Sequence, residues 1–254
     1  MARELDRITL NDNNVTYIVN PFFFKDEDIT VENLKSYTDV EKYQLEGKII
    51  HEYSGRGKTY LVTDRYNNRV VIRHYWRGGM MFKLLKDKFF RLSENANRSV
   101  KEFDILQTMR KMGLPVPRPI VSRVVKSGLF VTNDIILQEI PGAKTIAKIL
   151  QERNLTDIEL GKIGAVIGQL LTAGILHTDL NISNILLDGA GNIWIIDFDK
   201  CFLREINKKK YKKTLSRLER SFEKESKESP NFYWTKDDFV KLQQIIESAF
   251  NRGY

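Results

Sequence analysis

The sequence predicts an α+β fold, an antiparallel sheet region followed by a mainly helical one, on three observations. Between Gly47 and Ile140, β-prone runs alternate with turn clusters. Beyond Pro141–Gly142, apolar residues recur at helical spacing. Within that second region a short hairpin is flanked by His177-Thr178-Asp179-Leu180-Asn181-Ile182-Ser183-Asn184 and by Ile196-Asp197-Phe198-Asp199. With 254 residues and 42% apolar content, the chain can bury one good-sized core or two lobes sharing a cleft. We place the division at Ile140. Residues 1–140 form a β-rich lobe with one key helix, small apart from an N-terminal addition, and residues 141–254 the larger, helical lobe.

The first 46 residues read as an addition to the first lobe. They hold a β-prone Val15–Val19, the run Pro21-Phe22-Phe23-Phe24 and a helix-like stretch from Thr30 to Lys42. Core packing is the favoured fate of the phenylalanines over contact with lipid. Strands are expected at Ile49–Tyr53, Thr59–Thr63 and Val70–Arg73. The first two are separated by Ser54-Gly55-Arg56-Gly57-Lys58. Glycines between antiparallel strands let backbone amides approach phosphates unobstructed. A P-loop is excluded, because its first glycine would fall on Glu52 and a helix should follow. A helix is predicted over Ser99–Arg110, with Val100, Phe103 and Leu106/Gln107 inward, closed by Gly113 and Pro115. Leu129–Val131 and Ile135–Ile140 read as a hairpin turning at Asn133-Asp134.

In the second lobe, Thr156-Asp157-Ile158-Glu159 is a capping box opening a helix to about Ala173. Gly161, Gly164/Ala165, Gly168 and Thr172 form a small-residue stripe on it, which suggests close packing against another backbone. Strands at Asn184–Asp188 and Asn192–Ile196 surround the turn Asp188-Gly189-Ala190-Gly191. Tyr211, Leu215, Leu218 and Phe222 fall on one face of an amphipathic helix. A final helix is capped at Thr235 and runs through Phe239, Leu242 and Ile246.

Composition narrows the setting. No run of about 18 apolar residues suggests a spanning helix. Met1–Arg7 carries acids and lacks the apolar stretch of a secretory signal. Cys201 is the single cysteine, so intramolecular disulfides and thiolate zinc sites are excluded; a reducing, ATP-containing cytoplasm is expected. Residues 203–227 hold ten Lys or Arg and four Glu, six of the net +8 charges. Such a segment suits an anionic surface. It accompanies no recognised nucleic-acid-binding motif, so no nucleic-acid partner is expected. No oligomeric state is read from the sequence.

The H-x-D-L-x-x-x-N and D-F-x segments resemble the catalytic and metal-binding stations of a protein-kinase-like phosphotransferase, which implies a bilobal fold. Asp179 on a loop can accept the proton of an attacking hydroxyl. Asn184 and Asp197 can ligate Mg²⁺, which takes few protein oxygens and completes its shell with phosphate and water. His177 is expected to organise the loop rather than act as base. Val70-Val71-Ile72-Arg73 stands in the place of the kinase V-A-I-K strand, with Arg for Lys, and Glu102 is its candidate partner. Gly55, Arg56, Gly57 and Lys58 form the candidate phosphate lid. The backbone near Glu139 and Ile140 is the candidate adenine contact, on order along the chain alone.

Arg73-His74-Tyr75-Trp76-Arg77-Gly78-Gly79, with His177–Asn181, Asn184–Asp188 and Ile196-Asp197-Phe198-Asp199-Lys200, resembles the bacterial 3-deoxy-D-manno-octulosonic acid (Kdo) kinases, lipopolysaccharide kinases of kinase-like fold. The resemblance covers about residues 47 to 205. It implies ATP- and Mg²⁺-dependent phosphorylation of a Kdo hydroxyl, the 4-position in the family, on the lipid A precursor. It also implies a peripheral place on the cytoplasmic face of the inner membrane. Arg73 agrees with this subfamily, whereas Asp199 replaces the usual Gly after D-F and no A-P-E-like segment follows. Arg77, Lys83, Lys209 and Lys210 become candidate contacts for the anionic acceptor. A heptose kinase of the same fold, a pseudokinase scaffold and a nucleic-acid-binding module are the competing readings.

Overall fold

The alternation of buried and exposed residues in the first half of the chain builds one large sheet. A computed structural model describes residues 7–53, 58–76, 87–90 and 97–251. The chain divides into two compact units, Met1–Thr108 with Arg118–Glu139, and Met109–Pro117 with Ile140–Tyr254. They are of nearly equal length, against the expectation of a small first and a larger second lobe. The segment before Ile49 accounts for the difference.

In the first unit, eight strands form an antiparallel sheet: β1 (Ile8–Asp12), β2 (Val15–Val19), β3 (Ile49–Tyr53), β4 (Thr59–Thr63), β5 (Arg69–His74), β6 (Phe89–Phe90), β7 (Pro119–Ser127) and β8 (Phe130–Gln138). Their spatial order is β1-β2-β7-β8-β5-β4-β3, with β6 on β8. The expected Thr30–Lys42 helix is two helices, α1 (Val31–Tyr37) and α2 (Val40–Leu45). Thr38 Oγ1 donates back to the Leu34 carbonyl, and Asp39 accepts the Lys42 N–H as a new N-cap, so the first helix ends and a second begins. Leu34, Tyr37 and Tyr43 pack with Tyr17, Val19, Val62, Val70, Ile72, Ile120, Val121 and Ile136 into one core, on which Phe23 and Phe24 also rest. Phe22 points outward, 73% exposed. α3 (Arg98–Lys111) buries Val100, Phe103 and Leu106 as its spacing predicts.

The hairpin expected at Asn133-Asp134 is corrected. The chain turns at Gly128 (φ +57°), between β7 and β8, and Asn133 and Asp134 lie buried inside β8. Their polarity marked a turn, but here it is satisfied laterally. Ser99 Oγ donates to Asn133 Oδ1 at 3.1 Å, while His74 and Arg123 engage Asp134.

The second unit contains α4 (Ile146–Glu152), α5 (Asp157–Thr172), α6 (Lys208–Glu228) and α7 (Lys236–Asn251). It also contains the short strands β9 (Lys144–Thr145), β10 (Ile175–His177), β11 (Ile185–Leu187), β12 (Ile193–Ile195) and β13 (Cys201–Leu203). The capping box forms as predicted, Thr156 and Glu159 satisfying each other's backbone N–H groups. The glycine stripe meets α7, but only in part. A Cβ at Gly164 would collide with Ile245, and one at Gly168 with Ala249, whereas Gly161 faces open space. Gly168→Ala is therefore expected to destabilise by about 1–3 kcal/mol through overpacking, outweighing its gain in helix propensity. Gly161→Ala should stabilise by roughly 0.5–1 kcal/mol. Denaturant midpoints of the two variants check the contrast.

Candidate active site

The end of β10 delivers His177, and with it the loop to Asn184. His177 is buried, its ring 4.8 Å from that of Phe198. Its Nε2 lies 3.0 Å from the Ile196 carbonyl, and its Nδ1 accepts the Asp179 N–H at 3.2 Å. A carbonyl only accepts and an amide N–H only donates, so the proton sits on Nε2 and the ring is neutral. Burial, which pushes the imidazole below its ordinary pKa, agrees. One ring thus joins the backbone of Asp179 to the strand leading into Asp197, the organising geometry expected of it.

Asn181 and Asn184 both donate their side-chain amides to the Asp179 carbonyl, at 2.8 and 3.0 Å. The Asp179 carboxylate itself is 60% exposed and, among the described residues, accepts one hydrogen bond, from Arg217 Nη1 on α6 at 3.1 Å. Ile196 N–H donates to the Asn184 carbonyl at 3.0 Å, continuing the β11–β12 pairing that sets Ile185 against Ile195. Asn184 therefore lies across the hairpin from Ile196, one residue before Asp197. Asp197 adopts φ +65°, a left-handed conformation that costs a non-glycine residue about 1–3 kcal/mol and concentrates at functional sites. Phe198, 1% exposed, anchors the next position.

This pair of oxygen donors fits Mg²⁺. The Asn184 amide nitrogen is held by Asp179, which leaves Oδ1 without a hydrogen bond among the described residues. Nor, among the described residues, do three His, Cys, Asp or Glu side chains converge as a metal cage. A divalent ion here would complete its shell from phosphate oxygens and water, as Mg²⁺ commonly does.

In the first unit, β5 and α3 build a buried triad. Arg73 and Tyr75 are two residues apart and share a face. Arg73 Nη2 donates to Glu102 and, at 3.2 Å, to Tyr75 Oη; Tyr75 also donates to Glu102. The Glu102 side chain is fully buried and that of Arg73 is 21% exposed, so Glu102 is a buried partner and not a solvated helix carboxylate. Burial, then the Glu102 charge, pushes the Tyr75 phenol well above its ordinary pKa, so it stays a donor. Tyr75 stands in the Arg73–Gly79 motif with no role of its own read from the sequence; its place two after Arg73 was the available signal. Next to it, His74 Nδ1 contacts Asp134 at 2.6 Å and Nε2 contacts Asp87 at 3.1 Å, while Arg123 donates to Asp134 at 3.2 Å. Burial opposes charge on His74, but the two carboxylates prevail and its pKa is raised.

The remaining candidates are dispersed. Lys58 is 65% exposed and paired with Glu52 at 3.2 Å. The Glu139 N–H, expected near adenine, already donates to the Arg69 carbonyl, and its carboxylate pairs with Arg69 at 2.8 Å. That leaves the Ile140 N–H as the donor without a backbone partner there, among the described residues. Lys209 is exposed near the start of α6, and Lys210 Nζ caps the Glu205 carbonyl. Neither reaches Asp179; Arg217, two turns further along, does. Gly55, Arg56, Gly57, Arg77 and Lys83 lie outside the described residues.

A family model described as the lipopolysaccharide kinase (Kdo/WaaP) family matches residues 40–245. The chain is 39% identical over 227 residues to the 3-deoxy-D-manno-octulosonic acid kinase of Vibrio parahaemolyticus serotype O3:K6, an alignment covering 89% of this chain and 94% of that protein. To the kinase of the same name from Vibrio cholerae serotype O1 it is 41% identical over 185 residues, 73% of this chain and 78% of that one. To that of Haemophilus influenzae strain 86-028NP it is 37% identical over 213 residues, 81% and 88% of the two chains.

Proposed function

The chain belongs to the lipopolysaccharide kinase (Kdo/WaaP) family, and from that premise we propose that it phosphorylates Kdo, at the 4-hydroxyl, on the lipid A precursor, with ATP and Mg²⁺. The observation that carries this reading is the loop in which His177, Asn181 and Asn184 hold the backbone of Asp179 while its carboxylate stays 60% exposed. Asp179 takes the proton of the acceptor hydroxyl. The acceptor oxygen then bonds to the γ-phosphorus as the β–γ bridging P–O bond breaks and ADP leaves with its electron pair. Asn184 and Asp197 would hold Mg²⁺, whose charge would offset that of the phosphates. Arg73 with Glu102 is assigned the positioning of phosphate and the backbone near Ile140 the contact with adenine; Asp179 is assigned the role of base, and Asn184 and Asp197 that of metal ligands.

Transfer of label from ATP to Kdo-bearing lipid A precursor, with a Kdo-free precursor alongside, tests the reading. Label on the Kdo-bearing lipid alone supports it. Label on neither, with nucleotide still bound, points to another sugar acceptor.

The place of work follows from charge. Among the described residues no helix is long and apolar enough to cross a membrane. α6 buries Leu215, Leu218 and Phe222 and exposes lysines near its start. We infer peripheral attachment to anionic lipid, each nearby cation contributing about 1 kcal/mol. Reversing the charges of Lys209, Lys210, Lys212 and Lys213 should markedly weaken sedimentation with anionic vesicles; unchanged sedimentation would remove this role from α6.

A further inference from the structure

We propose that Arg217 is the cation, supplied in cis from α6, that stabilises the transferring phosphoryl group beside Asp179; the inference rests on the phosphotransfer reading above. The loop from His177 to Asn184 contains two polar amides and the base but no Lys or Arg. Charge developing on the phosphoryl oxygens needs a positive partner in addition to the metal, and an arginine from another segment often provides it. Among the described residues, Arg217 is the one cation paired with Asp179, Nη1 to Oδ1 at 3.1 Å.

Its placement is held from both sides. One turn further along α6, Ser221 Oγ accepts the Ile182 N–H of the catalytic loop at 3.2 Å. Behind it, Phe222 stacks on Trp234 with ring centroids 3.8 Å apart, and Leu218 is fully buried. The helix and the loop are therefore joined at Ser221 and at Arg217. A guanidinium has five donors in a planar fork, and a single hydrogen bond to Asp179 occupies one of them. With one nitrogen on the base that meets the acceptor hydroxyl, the others are placed to meet oxygens of the phosphoryl group being attacked. Arg217 touches the phosphoryl group in this assignment, not the sugar, so its effect does not depend on which acceptor is used.

The test compares wild type, Arg217→Lys and Arg217→Ala for transfer to the Kdo-bearing precursor and for ATP hydrolysis. Arg217→Ala should lower kcat by about 10²–10³-fold, the loss typical of one transition-state donor, with KM for ATP little changed. Arg217→Lys should retain part of the rate, because it keeps the charge and loses the fork. Guanidinium chloride at low millimolar concentration should restore turnover to Arg217→Ala saturably, and equal urea should not. A fall in kcat without rescue would make Arg217 a structural staple, and an unchanged kcat would remove any role; either overturns the proposal. If wild type hydrolyses ATP but leaves the Kdo lipid unlabelled, the acceptor assignment fails while the same comparison on hydrolysis still decides Arg217. Wild type silent in both assays would overturn the two readings together.

Discussion

Replacing Asp179 with alanine lowers the rate constant for phosphate transfer by about 10²- to 10⁴-fold, the range for loss of one positioned general base. The variant should fold and bind nucleotide as wild type does. His177, Asn181 and Asn184 grip the amide and carbonyl of residue 179, which alanine retains. The carboxylate that is lost is 60% exposed and has Arg217 as its one hydrogen-bond partner among the described residues. Single-turnover transfer and nucleotide titration separate the two properties. A near-normal transfer rate would refute the role assigned to Asp179.

Glu102→Ala acts on both stability and nucleotide affinity. It strips the acceptor from a guanidinium 21% exposed and from a buried phenol. Breaking a buried pair from one side costs about 3–5 kcal/mol, and the partial exposure of Arg73 places the expected loss near the lower end. Arg73, no longer held by Glu102, should also bind phosphate less well, so ATP affinity falls. Glu102→Gln keeps the shape and one carbonyl acceptor and should lose less of both. Denaturant unfolding with nucleotide titration provides the measurement. Wild-type stability and affinity in Glu102→Ala would show that the pair is not a working element.

What could be read from the residues was what local patterning encodes. Val70 and Ile72 alternate with Arg73, and Val100, Phe103 and Leu106 repeat at helical spacing, so β5 and α3 were legible, as was the Asn184–Ile196 hairpin. The loop from His177 to Asn184 was legible as a unit because its pattern is confined to eight consecutive residues. Asn133 and Asp134 misled because a turn residue and a laterally satisfied strand residue look alike until their partners, Ser99, His74 and Arg123, are known. The break between α1 and α2 turned on a side-chain hydrogen bond from Thr38, which periodicity does not register. Arg217 escaped selection for a related reason. It is one of ten cations between 203 and 227, and only the packing of α6 brings it, rather than Lys209 or Lys210, to Asp179.

The guanidinium on β5 has a consequence for chemical labelling. Reagents that mark nucleotide sites by acylating or sulfonylating an amine require a side chain that can lose its proton and attack. A guanidinium is not such a side chain, and β5 offers no lysine from Arg69 to His74. With Arg73 at the nucleotide as proposed, amine-reactive nucleotide probes would pass over this strand, whereas dicarbonyl reagents directed at arginine have Arg69 and Arg73 on it.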